Sequence, residues 1–218
     1  MQFVLGNQGL QWSDAWFLLH GAGNTILVTV VAGFLGTVLG IALGWARASS
    51  KAVRLVTLPY IDVIRSVPLI IQLVLLNSFL SLSGYPLDAF WIGTLVLASS
   101  MAVLTSEVVR SALSAVPTNT RRAGRSLGMT YAQEFVHISA PLATRTGLAP
   151  WIGLLISLTK DSALISVVGY LEFLRSSQIL MTRTHETLLI FGGVGLFYFC
   201  ICYPISRYSR HLEKRIAV

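Results

Sequence analysis

Four charged side chains stand in or beside long apolar runs: Asp62 and Arg65, one helical turn apart, and Lys160 and Asp161, adjacent in sequence. An ionisable group at bilayer depth costs about 3 kcal/mol or more unless it is paired or hydrated, which makes each of them a functional candidate. Arg65 lies ten residues beyond Leu55, about 15 Å along a helix at ~1.5 Å per residue, and so near mid-depth. Asp62 is close enough to neutralise it, and pairing with Asp62 and contact with a ligand remain equal readings. Pro68 has no amide hydrogen, so the helix beyond Arg65 should kink or open and free backbone groups to meet a polar solute. Lys160 and Asp161 are flanked by Ser157, Thr159 and Ser162. Successive helical residues diverge by about 100°, so the two do not satisfy each other side by side, and a small solute carrying both charges would answer both.

Chemistry of other kinds lacks its residues. His20, His137, His185 and His211 fall in separate segments, and neither HExxH, clustered Cys/His ligands nor GxSxG occurs. The phosphate-cradling GxxxxGK[ST] pattern is also missing, so the chain is not expected to hydrolyse ATP itself, and no metal or cofactor is called for. Cys200 and Cys202 are two residues apart in one apolar run and would point in different directions on a helix, which indicates neither a disulfide nor a CxxC site. The +7 net charge is spread through short segments without interleaved aromatics, which argues against nucleic acid.

The elements that must hold these residues are membrane spans. Of 218 residues, 54% are hydrophobic and 11% charged, with mean hydropathy +0.71, against about 25% charged in soluble domains. Uncharged runs at Ala15–Ala46, Ser66–Leu87, Ala89–Ser106 and Thr187–Ser206 are near or above the ~18 residues that nominate a transmembrane helix. The expected architecture is an all-α membrane protein, one transmembrane domain over residues 1–218, with five spans at about 16–46, 55–80, 87–113, 146–168 and 187–203. Residues 1–14 contain no Lys or Arg, so a cleavable signal is not expected. Basic residues follow span 1 (Arg47, Lys51, Arg54), surround the middle loop (Arg110, Arg121, Arg122, Arg125, Arg145) and follow span 5 (Arg207, Arg210, Lys214, Arg215), accounting for twelve of the sixteen. The positive-inside rule then places the N-terminus outside and the C-terminus in the cytoplasm. Gly36, Gly40 and Gly44 give span 1 a smooth face for close helix packing inside the subunit. Residues 169–186 receive no regular structure. Glu107 and Arg110 stand near the cytoplasmic end of span 3, where an i,i+3 ion pair is expected.

The middle loop, about 114–145, is too polar to span. Ala123, Leu127, Tyr131 and Phe135 recur at four-residue steps among arginines, which predicts a short surface helix with a turn at Gly128, ending before Pro141. Such a helix either rests on lipid headgroups or docks a cytoplasmic partner.

Ala123-Gly124-Arg125-Ser126-Leu127-Gly128-Met129-Thr130, followed by Gln133, Phe135, Ile138, Pro141, Ala143 and Arg145, resembles the EAA loop of permease subunits of bacterial ABC importers. The stretches Tyr60 to Leu69, Glu107 with Arg110, and Lys160 to Ser166 are similar to the polar amino-acid branch of that family. The resemblance implies a coupling helix whose Arg122, Ala123, Gly124, Leu127 and Gly128 contact a cytoplasmic ABC ATPase. It also implies a second permease subunit, identical or paralogous, an extracytoplasmic solute-binding protein, residence in the bacterial inner membrane, and alternating access for a polar amino acid held by Arg65, Lys160, Asp161 and Asp62. Where the family shows Gly-Gln this chain has Asn119-Thr120, and where it shows Glu-Ala-Ala it has Arg122-Ala123-Gly124, which suggests an adapted partner surface. The alternative is a non-transporting scaffold that recruits a soluble partner through this loop, although a scaffold could have apolar spans throughout.

Overall fold

A bilayer offers no water to backbone groups, so an apolar run must satisfy them within itself, and the long apolar runs of this chain lie in helices except where Ser66–Leu87 breaks at Val67-Pro68 and turns after Leu82. The computed structural model describes residues 9–216; the start of the N-terminal segment lacking Lys and Arg, and the final two residues, lie outside the described residues. In chain order the helices are α1 Trp12–Ser49, α2 Lys51–Ser66, α3 Leu69–Leu82, α4 Ala89–Ala115, α5 Thr118–Ser126, α6 Tyr131–Glu134, a π-helical segment Phe135–Ser139, α7 Ala140–Asp161, a 3₁₀ segment Ser162–Val168, α8 Phe173–Thr184 and α9 Thr187–Ile216. Trp12–Ser49, Ala89–Ala115, Tyr131–Val168 and Thr187–Lys214 are each long and apolar enough to cross a membrane, and α2 with α3 passes the same test of length and composition as a bent pair, making a fifth where the two are one span.

The most extensive packing joins α1 to α4. Its cause is the expected glycine face: a Cβ on Gly36, Gly40 or Gly44 would stand 2.5–2.7 Å from Cβ of Met101, Thr105 or Val109 and 2.8 Å from a backbone carbonyl of α4. Only hydrogen fits there, so the backbones approach closely. Val28, Ala32, Leu97, Met101, Leu158 and Ile165 are buried around this seam and draw α7 and the 3₁₀ segment onto it. Gly93 leaves the seat for Ile165, whose side chain would lie 2.5 Å from any Cβ added there.

Four expectations change. The second span is two helices, separated at Val67-Pro68 and turned by 105°, so the kink expected at Pro68 is closer to a corner. The helix expected to end before Pro141 instead runs on: Pro141 sits in the first turn of α7, where a missing amide costs least, and the preceding π segment hands the chain over through an Ala140 N–H bond to the Phe135 carbonyl. The turn expected at Gly128 is present, its φ of +86° favouring glycine, and it sets Ala123 in α5 and Tyr131 in α6. Residues 169–186 contain α8, capped by Glu172, whose carboxylate accepts from the amides of Leu174 at 2.7 Å and Arg175 at 2.5 Å. Burial pushes that carboxyl up from its ordinary range against the pull of the two amides. Arg183 of α8 ion-pairs with Asp14 of α1, binding together two segments that the charge pattern places on one side. The fifth span also extends past Tyr203, as α9 carries the basic tail residues Arg207, Arg210 and Lys214 in the same helix.

Candidate solute cavity at the broken helix

The site begins with a missing hydrogen. In an unbroken helix the amide of residue 68 would bond the carbonyl of Ile64, and proline has none. Val67 and Pro68 turn extended, with ψ of 126° and 136°, and α3 restarts in a new direction. The orphaned Ile64 carbonyl accepts from Gln72 Nε2 at 2.9 Å, and the same amide reaches the Val67 carbonyl at 2.8 Å. Gln72 thus supplies from a side chain what Pro68 withholds from the backbone. The corner is therefore a held shape rather than a loose one.

Inside the corner is a cavity of about 430 Å³ lined by Arg65, Ser66, Pro68, Gln72, Ser100 and Asp161, together with apolar neighbours of α2, α3 and α4. Arg65 and Asp161, nearly a hundred positions apart, face one space without closing to an ion pair. Asp161 ends α7 where the chain tightens to 3₁₀ geometry, a change that within a longer helix often marks a hinge. A guanidinium and a carboxylate across a cavity of this size can hold the two ends of a zwitterion, the planar fork of arginine matching a carboxylate. The other two charged candidates are elsewhere. Asp62 is exposed, outside the lining, and forms no ion pair with Arg65 among the described residues; Lys160 is likewise exposed and outside the lining. Gln72 and Ser100 were not singled out by sequence reasoning; a glutamine amid Leu69-Ile70-Ile71 and Leu73-Val74-Leu75, four residues after a proline, was the available signal.

Below the cavity, Glu107 does more than the expected i,i+3 pair. It accepts from Arg110 Nη2 at 2.9 Å and from Arg47 Nη1 of α1 at 2.7 Å, and Arg47 also reaches Ser106 at 3.0 Å. Arg47 is almost wholly buried, so this cluster locks the ends of α1 and α4.

The middle loop is likewise built from charge. Arg121 Nε donates to Ser139 Oγ at 2.9 Å, and Ser139 donates to the buried Glu134, fastening α5 to the π segment. Gly124 faces inward: a Cβ there would meet Ile138 Cδ1 at 2.5 Å. Arg122, Ala123 and Leu127 are exposed, Leu127 at 83%, and Arg125 lies over the Tyr131 ring. Of the five residues expected at a partner surface, Arg122, Ala123, Leu127 and Gly128 lie on the outside, and Gly124 holds the loop to itself.

Residues 36–218 match the family described as binding-protein-dependent transport system inner membrane component. The probable glutamine ABC transporter permease protein GlnM of Bacillus subtilis is 28% identical over 211 residues, covering 96% of this chain and 98% of its own. The glutamine transport system permease protein GlnP of Escherichia coli K12 is 28% identical over 214 residues, covering 95% and 98%. Among solved structures, one described as an amino acid ABC transporter with histidines aligns with TM-score 0.86 at 27% identity, over 95% of this chain and all of that one. The MetNI methionine ABC transporter in an inward-facing form, at 22% identity, shares the fold with TM-score 0.78 over 95% of this chain and 99% of that one.

Proposed function

The chain belongs to the family of binding-protein-dependent transport system inner membrane components, and from that premise we propose that it is the permease subunit of a bacterial ABC importer carrying a polar amino acid. The observation that carries the substrate class is the cavity at the helix corner, where Arg65 and Asp161 present opposite charges across a space open to neither an ion pair nor an apolar ligand's needs. A scaffold has no use for a cost of that kind at bilayer depth. Two such subunits form the path, a solute-binding protein delivers the amino acid outside, and a cytoplasmic ATPase supplies the energy that this chain lacks the phosphate loop to obtain. Alternating access follows from the hinge points: the corner at Pro68 and the α-to-3₁₀ change at Asp161 both border the cavity, so a shift relayed through α7 alters its exposure to the two faces.

The test is uptake by proteoliposomes holding the permease with its ATPase and binding protein, offered labelled glutamine, arginine, histidine and cystine. ATP-dependent accumulation of at least one is expected. A complex that assembles and hydrolyses ATP in response to the binding protein yet moves none of these would remove the polar amino-acid reading.

Orientation rests on the twelve basic residues. With Cys200 and Cys202 replaced by serine, Ser83→Cys should react with an impermeant maleimide from outside and Asn119→Cys from inside alone; outside labelling of Asn119→Cys reverses the topology. The coupling surface is the outward side of α5. Leu127→Asp should cut uptake about tenfold or more without reducing membrane yield, because an exposed apolar contact with the ATPase is removed while the Arg121–Ser139–Glu134 fastening stays. Gly124→Trp should lower yield as well, since its bulk enters the space of Ile138. Equal behaviour of the two would assign the loop a single, structural role.

A further inference from the structure

A second cavity, of about 560 Å³, opens between α1, α4 and the start of α7, with no charged residue in its lining. Its walls run from Thr37 to Trp45 on α1 and from Ala140 to Trp151 on α7, about 12 and 16 Å at ~1.5 Å per residue. That length is about one leaflet, half of a ~30 Å hydrocarbon core. Of its three threonines, Thr37 accepts from Trp151 Nε1 at 3.1 Å and Thr144 donates to the Ala140 carbonyl at 2.8 Å, which leaves the Thr105 hydroxyl as the open polar group. Ile41, Ala42, Trp45 and Thr144 are exposed at its mouth, on helices long and apolar enough to cross the membrane. The lower end coincides with the ends of α1 and α4 that carry Arg47 and Arg110 and with Ala140 at the start of α7; Arg145 stands five residues further along α7, next to the lining Thr144. Arg47 and Arg110 share the one carboxylate of Glu107, which offsets one of their two charges; Arg145 is exposed and forms no ion pair among the described residues. Trp45 stands at this rim, 6.3 Å from the ring of Phe135, a position amphipathic tryptophans favour at membrane interfaces.

We propose that this groove holds one acyl chain of an anionic phospholipid of the cytoplasmic leaflet, its phosphate headgroup against Arg145. The inference uses the cytoplasmic placement of these helix ends from the proposed orientation and is independent of what the transporter carries. Two features select a lipid over a protein helix: a slot one leaflet deep matches one chain, and the exposed, unpaired Arg145, one residue past the lining Thr144 in the lower half of the slot, gives the charge complementarity that a buried apolar helix would leave unused. The groove borders the α1–α4 end cluster and the π segment that fastens α5, so the lipid would brace the part of the fold nearest the coupling loop.

The test is native mass spectrometry of the intact permease–ATPase complex, delipidated in mild detergent and re-exposed to phosphatidylglycerol or phosphatidylethanolamine. One phosphatidylglycerol per permease copy is expected, retained at least fivefold better than phosphatidylethanolamine. Ala42→Phe, which fills the groove from α1, should lower retention at least fivefold, and Thr144→Phe should do the same from α7 in case either variant assembles poorly. Arg145→Gln should erase the headgroup preference. Unchanged retention in both filled variants, an absence of headgroup preference in the unsubstituted complex, or a disulfide between Ala42→Cys residues of two copies would each overturn the proposal, the last by making the groove a subunit contact. Amino-acid uptake is not read, so a wrong substrate class leaves the result intact.

Discussion

Gly40→Leu should abolish recovery of the assembled permease from membranes, while Gly23→Ala, on the same helix, should be tolerated. The two positions differ in what a side chain would meet. At Gly40 the first carbon already falls 2.5 Å from Thr105 Cβ and 2.8 Å from the Ala102 carbonyl oxygen, and neither is the far end of a flexible chain; at Gly23 nothing lies within 4 Å. Relief at Gly40 requires α1 to leave α4, and Gly36 and Gly44, one turn away on either side, bring the same spacing to the rest of the seam. Overpacking a well-filled interior costs about 1 to 3 kcal/mol where side chains can adjust, and here the obstacle includes backbone. Gly23→Ala instead gains about 1 kcal/mol of helix propensity. Detergent-extracted yield and thermal unfolding of the purified complex measure both. A Gly40→Leu protein with unchanged yield would mean that the α1–α4 approach is looser than described.

Arg65→Ala and Asp161→Asn should each lower uptake by at least about tenfold, the equivalent of about 1.4 kcal/mol, with complex yield and basal ATP hydrolysis retained. Neither side chain is ion-paired among the described residues, so removing one strands no partner there, and the loss falls on the solute. Arg65→Lys separates charge from shape. It keeps the cation but lacks the bidentate fork, so partial uptake would indicate a carboxylate held by geometry as well as charge. Pairing between Arg65 and Asp62 makes a different forecast, in which Arg65→Ala lowers yield and the double change with Asp62→Ala restores both yield and uptake. Lys160→Ala should leave uptake above that of Arg65→Ala, because Lys160 is outside the cavity lining.

Much of the architecture was readable one residue at a time. The charge-free runs located the membrane-crossing helices because nothing but an apolar helix fits a dry span, Gly36, Gly40 and Gly44 announced a close approach, and Pro68 announced a break. What remained hidden depended on partners far along the chain. Gln72 is unremarkable until the bend brings it to the Ile64 carbonyl, and Asp161 joins Arg65 only when α7 packs on α4. Glu107 was read as paired with Arg110 three residues away, since nothing local points to Arg47 across sixty positions. The inward side of α5 at Gly124 is of the same kind, since the Ile138 side chain it makes room for lies fourteen positions on, past the turn at Gly128. Pro141 was taken as a stop, although the helical backbone runs through it from the π segment into α7. In α8 the buried side chains include Ser176 and Ser177, so the segment carries no apolar stripe to find; its small residues serve close packing on Gly21 of α1.

The cavity at the helix corner is the centre of this account, and Ser100 on its wall reports on it without touching either charge. In the intact complex lacking Cys200 and Cys202, Ser100→Cys should react with a small hydrophilic thiol reagent. Saturating transported amino acid, presented with the binding protein and ATP, should slow that reaction several-fold. A labelling rate indifferent to the amino acid in every nucleotide state, in a complex that still accumulates it, would place the path elsewhere in the molecule.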